Sequence, residues 1–258
     1  MNNQGQFPKI RRFNPTILEY KRLHGHAPVM AVIGKRGSGK STLIEEIIYY
    51  LKVPTAIVMS GTEISNSFYS KHIHPLFIYD EYRADKIQAI ISAQTKKATE
   101  MQHRYPDKKF TDFPEHGILI IMDDLAYDNK MMKDPGMKQL FFNGRHLNIT
   151  LIMSFQYLVA IPPAFRTNID FLFVGRDITK EYMEKLYKLF FGIFEKFAEF
   201  RMVFIKATTD YGYLVLNKTT LSDSLSDNVF WYRAAEGHRY KIGSEALWSE
   251  LDSKMKRG

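Results

Sequence analysis

The sequence predicts an α/β protein with a mainly parallel central sheet flanked by helices. Three observations predict it. Continuous apolar runs of strand length alternate with segments of helical periodicity. A glycine-rich stretch, "GKRGSGKST" (34–42), follows the first apolar run and opens a helical segment. Another run, "GILIIMDD" (117–124), ends in two carboxylates. Strands that lack polar alternation are covered on both faces, and the intervening helices supply that cover.

Taken in order, residues 1–27 are polar and basic, carry Pro8 and Pro15, and read as an N-terminal arm. "PVMAVI" places a strand at 29–33. A helix then runs to about residue 52, with Leu43, Ile44, Ile47, Ile48 and Leu51 on one face. "PTAIVMS" (54–60) is a second β-rich run and "HPLFIYD" (74–80) a third candidate. From Asp85 to Arg104 the pattern is helical, with Ile87, Ile90, Ile91, Ala98 and Met101 near one face. "DKKFTDFPEHG" is a loop before the strand at 117–124, and "DPGMKQLFFNGRH" contains a helix. "NITLIMSFQ" (148–156) and "IDFLFVG" (169–175) are strands joined through the loop "PPAFRTN". "TKEYMEKLYKLFFGIFEKF" reads as one helix with Met183, Leu186, Leu189, Phe190 and Ile193 along its apolar face. "FRMVFIKA" and "YGYLVLN" read as a closing hairpin across "TTDYG". The organisation is an arm at 1–27, a main domain at 28–217 and a polar C-terminal extension at 218–258.

Composition bounds the function. The 258 residues are 45% hydrophobic and 25% charged, ordinary for a globular protein. The net charge of +8 suits a polyanionic partner, nucleic acid first. With no cysteine, disulfides, thiolate metal sites and thiol nucleophiles are excluded. The eight histidines include no H-x-x-x-H pair. The N-terminus has no apolar core of a secretory signal, so secretion is not expected. The longest apolar stretches are too short to span a bilayer.

The chemistry concentrates in two places. Gly34, Gly39, Lys40 and Ser41 fit G-x-x-x-x-G-K-[ST]. Glycines, Gly37 among them, let backbone N–H groups turn inward around a phosphate, and the helix that follows adds its positive end. The reading takes Gly34, Gly37, Ser38, Gly39, Lys40, Ser41 and Thr42 as ATP-binding, with the Lys40 ammonium on the β/γ-phosphates and the Ser41 hydroxyl on Mg²⁺. Asp123 and Asp124 stand where ligands bind in open parallel sheets, at a strand's C-terminal end. Asp123 is the Mg²⁺ carboxylate and Asp124 the group that polarises an attacking water. Gln156 ends the next strand and reads either as an ordinary strand-end residue or as a sensor of the γ-phosphate through its amide. The interval between Lys40 and Asp123 holds a further strand candidate. That favours the additional-strand division of P-loop NTPases over small-substrate kinases. Lys96, Lys97, Arg104, Lys108 and Lys109 form a basic stretch that reads either as a DNA-facing or as a solvated face. Trp231 and Tyr232 read as core residues, with adenine stacking or contact with a neighbouring subunit as the other reading.

"GRHLNITLIMSFQYLVAIPPAFRTNIDFLFVG" resembles the region after the second acidic motif in FtsK/HerA-type DNA translocases. With "GKRGSGKST", "IMDD" and the late "NVFWYRA", the chain resembles the packaging ATPases of nucleocytoplasmic large DNA viruses over roughly residues 25–235. The resemblance implies an FtsK/HerA-like P-loop fold and Mg²⁺-dependent ATP hydrolysis. It also implies a homo-oligomeric ring and sequence-independent pumping of double-stranded DNA into a capsid, with a capsid or portal component as partner. It implies a place in the virion or the host-cell cytoplasm. By position, the resemblance implies that Gln156 is the sensor. Arg145 and Arg166 both fall where the family carries basic residues, and the resemblance makes either a candidate to act on a neighbour's nucleotide. Asp124 stands where many relatives have Glu. The other readings are a cellular FtsK/HerA-like pump, a P-loop small-substrate kinase and a non-hydrolysing DNA-binding subunit.

Overall fold

Residues 9–63, 67–125, 131–158 and 161–256 are described by a computed structural model. Among them, nine strands form one sheet. In chain order they are β1 (Arg11–Arg12), β2 (Val29–Ile33), β3 (Thr55–Ser60), β4 (Ile78–Tyr79), β5 (Ile118–Asp123), β6 (Ile149–Phe155), β7 (Phe171–Val174), β8 (Tyr213–Asn217) and β9 (Val229–Tyr232). Their spatial order is β1-β9-β8-β7-β2-β6-β5-β3-β4. Every neighbouring pair is parallel except the two that involve β8. The expected mainly parallel α/β sheet is therefore present.

The central strands are apolar throughout because both faces are covered. Val29, Ala31 and Ile33 of β2 join one core, while Met30 and Val32 join the other. Such a split follows from the two-residue period of a strand. On the first face lie helices α3 (Ala84–Arg104), α4 (Pro135–Asn143), α6 (Lys180–Phe190) and α7 (Phe197–Ala207). On the second lie α1 (Thr16–Leu23) and α2 (Lys40–Leu51), and all five residues expected on the apolar face of α2 are buried. In α3 the burial stops at Gln94: Ala98 and Met101 are only half-buried, and Lys96, Lys97 and Arg104 are exposed.

Four elements differ from the sequence reading. "FRMVFIKA" is helical, part of α7, and makes no hairpin with β8. Phe200, Val203, Phe204 and Ala207 are its buried residues, a helical i, i+3, i+4, i+7 set. The helix expected across 179–197 is broken after Phe190, and a turn buries Phe191 and Phe194 against Phe200 before α7 begins. Most of "HPLFIYD" is not strand: a short 3₁₀ turn at Pro75–Phe77 leads into the two-residue β4. The sheet does not stop at residues 28 and 217. β9, from the C-terminal segment, pairs with β8, and β1, from the arm, pairs with β9. Phe13 holds the arm there, edge-on to Phe171, Phe173, Phe230 and Tyr232 at 5.6 to 5.9 Å. Residues 1–8 of the arm lie outside the described residues.

The strand that separates β2 from β5 in space is β6, which follows both in sequence. β3 sits on the far side of β5. The C-terminal segment also packs on α2: the buried Glu46 carboxylate accepts from the Ala235 N–H at 3.1 Å, and the Tyr240 hydroxyl donates to the Glu45 carbonyl at 2.8 Å.

Candidate nucleotide site

The loop between β2 and α2 is set by its glycines. The Gly34 N–H donates to the Phe155 carbonyl at 3.0 Å, extending the β2–β6 ladder by one bond. Gly37 and Gly39 have φ of 75° and 84°, the left-handed region that side chains disfavour. A Cβ on Gly34 would run into the Ser38 side chain. The helix then opens on Lys40, so its unpaired N–H groups and positive end face the loop. The Lys40 ammonium is buried and donates to the carbonyls of Gly34 at 2.8 Å and Lys35 at 3.2 Å. Burial pulls its pKa down, and the carboxylates of Asp124 and Asp123 pull it back up.

The two acids sit differently. Asp123, at the end of β5, is 3% exposed. Its Oδ1 accepts a hydrogen bond from the Ser154 hydroxyl, and its Oδ2 accepts one from the Tyr69 hydroxyl at 2.8 Å. Burial pushes its carboxyl above the ordinary value. The bonds from Ser154 and Tyr69 and the Lys40 charge act against that, and Asp124 adds to it. Asp124 leaves the strand in a left-handed conformation, φ 55°. Its N–H donates to Ser154 Oγ at 2.9 Å, and its Oδ1 accepts from the Gln156 side-chain amide. Ser154 thus accepts from one acid's backbone and donates to the other's carboxylate.

These groups line one cleft of about 650 Å³ at the C-terminal ends of β2, β5 and β6. Gly37, Gly39, Lys40, Ser41, Thr42, Asp123, Asp124 and Gln156 all face it. Gly34 and Ser38 do not line it, and the Ser38 carbonyl accepts from the Tyr213 hydroxyl at 2.9 Å. Burial raises the pKa of that phenol to about 12, so it stays a donor at neutral pH.

A family model described as poxvirus A32 protein matches residues 16–217. The chain belongs to that family. Protein 075L of Invertebrate iridescent virus 6 is 35% identical to it over 79% of this chain and 73% of its own. Protein 015R of Frog virus 3 is 31% identical over 87% of this chain and 68% of its own. In architecture the A32-family chain is similar to the genome packaging NTPase B204 of Sulfolobus turreted icosahedral virus 2, solved with AMPPCP. That match has a TM-score of 0.54 at 16% identity and covers 86% of this chain and 100% of B204. It is similar also to the pCW3 conjugation coupling protein TcpA, with a TM-score of 0.57 at 13% identity over 99% of this chain and 77% of TcpA. The resemblance to viral packaging ATPases and the FtsK-like P-loop fold are both met.

The two arginines named from the sequence lie elsewhere in the A32-family chain. Arg145 is in the 3₁₀ turn before β6, its guanidinium 3.9 Å from the Asp170 carboxylate. Arg166 ends the short helix α5 (Pro163–Arg166), before β7, and donates to the Ile161 carbonyl at 2.9 Å. Arg145 therefore stands at the N-terminal end of β6, whose C-terminal end meets the cleft, and Arg166 lies before the N-terminal end of β7, on the same edge of the sheet. Seven residues of β6 separate the two edges by about 23 Å. Neither arginine enters the cleft of its own chain. Among the residues that do enter it or brace it, and that the sequence reading missed, are Tyr69, Ser154, Tyr211, Tyr213, Arg233 and Glu236. Ser154 carried a signal, a hydroxyl in a buried strand two residues before Gln156. Tyr69 carried none, being 54 residues from its partner.

Proposed function

We propose that this protein is an ATP-driven, double-stranded DNA translocase that packages a viral genome into its capsid. The observation that carries the reading is the convergence of Lys40, Asp123, Asp124 and Gln156 on one cleft beside a glycine loop and a helix N-terminus. Family membership and the net charge of +8 support it.

In this reading the backbone N–H groups of the loop and helix start that face the cleft, from Gly37 and from Gly39 to Thr42, and the Lys40 ammonium bind the phosphates. The donor set fits Mg²⁺. Ser41 and Asp123 would hold it with the hard oxygens that Mg²⁺ takes. Asp123 spends one lone pair of each oxygen on Tyr69 and Ser154, so acceptor capacity is left. When bound, Mg²⁺ neutralises charge on the β- and γ-phosphates. Asp124 orients the water that attacks the γ-phosphorus and takes up its proton as the bond to the β-phosphate oxygen breaks. Gln156, bonded to Asp124, fixes that carboxylate and couples its position to the γ-phosphate. Most of the acceleration is positional and electrostatic. Subunits form a ring in which Arg145 or Arg166 reaches a neighbour's nucleotide. DNA is held by phosphate contacts that carry no sequence code, as a pump for any sequence needs. A capsid or portal component docks the ring.

The test is phosphate release with and without random-sequence duplex DNA, on the wild type and on Lys40→Ala. DNA should stimulate release and the substitution should abolish it. Binding should weaken with salt at a log–log slope of about −0.9 per phosphate contact, equally for unrelated duplexes. Release indifferent to DNA, or transfer of phosphate to a small molecule, would defeat the reading.

A further inference from the structure

The cleft is longer than the phosphate machinery fills. In the sheet order, the acids and Gln156 end β5 and β6, on one side of the loop after β2. The cleft continues on the other side, past β7, to Tyr211, Arg233 and Glu236 beside β8 and β9. A nucleotide whose γ-phosphate lies toward Asp124 must direct its nucleoside end to that second side.

What stands there is an aromatic ring held out to solvent. Tyr211 is 70% exposed. It and Asp210 are consecutive non-glycine residues in the left-handed region, φ 59° and 47°. Such backbone persists only where its surroundings hold it. Here the turn is closed by the Gly212 N–H on the Thr209 carbonyl at 2.8 Å, and tied to the phosphate loop by Tyr213 through Ser38. The ring lies against that loop: a Cβ on Gly39 would sit 3.6 Å from Tyr211 Cδ1. Arg233, at the end of β9, has its guanidinium 3.4 Å from the Thr209 carbonyl and 3.5 Å from the Asp210 carboxylate, and so braces the same turn. The aromatic pair singled out from the sequence does not serve. Tyr232 is 1% exposed in the core, and Trp231 lies under the Arg12 guanidinium.

We propose that Tyr211 is the stacking platform for the nucleobase of the bound nucleoside triphosphate, with Arg233 and Glu236 lining the rim around the base and ribose. The assignment rests on the nucleotide-site reading above and adds to it the group that tells a nucleotide from bare polyphosphate. A ring face recognises any base by its π surface, so the platform selects for a nucleoside rather than for one base.

The experiment is calorimetric titration of wild type, Tyr211→Ala and Tyr211→Phe with two probes, a non-hydrolysable ATP analogue and inorganic tripolyphosphate, each with Mg²⁺. Stacking losses on alanine substitution predict about 5–150-fold weaker binding of the ATP analogue by Tyr211→Ala. Tripolyphosphate affinity should be unchanged, and Tyr211→Phe should bind both probes as the wild type does. Weakening of both probes alike would make Tyr211 a support of the phosphate loop and overturn the proposal, as would unchanged affinity for the analogue. Wild type that binds tripolyphosphate but gains nothing from the nucleoside would also overturn it, leaving the phosphate site standing. Wild type that binds neither probe would overturn the phosphate site and this proposal together.

Discussion

Replacing Tyr69 by Phe deletes one oxygen from a fully buried position, the donor 2.8 Å from Asp123 Oδ2. The ring still fills its place in the core on the α2 side of the sheet. A hydrogen bond to a charged group is worth about 1.5–3 kcal/mol, and one to a neutral group about 0.5–1.5 kcal/mol. The variant should therefore lose about 1.5–3 kcal/mol where Asp123 is ionised. At about 2–4 °C per kcal/mol for a chain of this size, that lowers the melting temperature by roughly 3–12 °C. The loss should depend on pH in a stated direction. The Asp123 carboxyl is raised above its ordinary value by burial, so it binds protons more readily folded than unfolded. Such a group destabilises the fold as pH rises from its unfolded value, about 3.9, through its folded one. The Tyr69 bond holds the folded value down. Without it the folded value climbs further and the destabilisation at neutral pH deepens. The deficit of the variant should thus be largest well above the folded value and narrow as the pH falls through that value toward the unfolded one. Urea unfolding at several pH values, followed by circular dichroism, measures it. A deficit that does not narrow at all as the pH falls to the unfolded value, or one smaller than about 0.5 kcal/mol at neutral pH, would refute the assignment of the Tyr69 hydroxyl to an ionised Asp123.

Asp124→Asn should keep nucleotide affinity, because Asp123 and Lys40 are untouched, and lower single-turnover hydrolysis by about 10²–10⁴-fold; lost affinity with a normal rate would contradict it. Mixing inactive Lys40→Ala subunits with inactive Arg145→Ala subunits should restore part of the activity if Arg145 acts on a neighbour. Recovery confined to the matching Arg166→Ala mixture assigns that role to Arg166 instead. Phe200→Ala should cost about 3–5 kcal/mol, since the ring is wholly buried and touches Phe191, Phe194 and Phe204; a loss under about 1 kcal/mol in urea unfolding would deny α7 its place in the core.

The sequence by itself determined what is local. Residues 34–42 are contiguous, and their glycines and the apolar runs on either side dictate strand, loop and helix without help from distant parts. The strands at 29–33, 117–124 and 148–156 were legible because burial on both faces leaves continuous apolar runs. The acids were legible because they end such a run. Where local signals were ambiguous, the tertiary structure decided. "FRMVFIKA" has a spacing that suits a helix and an apolar content that suits a strand, and packing against Phe191 and Phe194 selected the helix. Pairing with β8 made strands of the short β9 and, through it, of β1. A two-residue strand has no sequence signal, because its stability comes from the neighbour that completes its hydrogen bonds. The same holds within the site. Which hydroxyls grip Asp123, which aromatic faces the cleft and which edge of the sheet bears Arg145 and Arg166 all depend on contacts between residues far apart in the chain. Such contacts exist only after the sheet has assembled, and no window of sequence contains both partners.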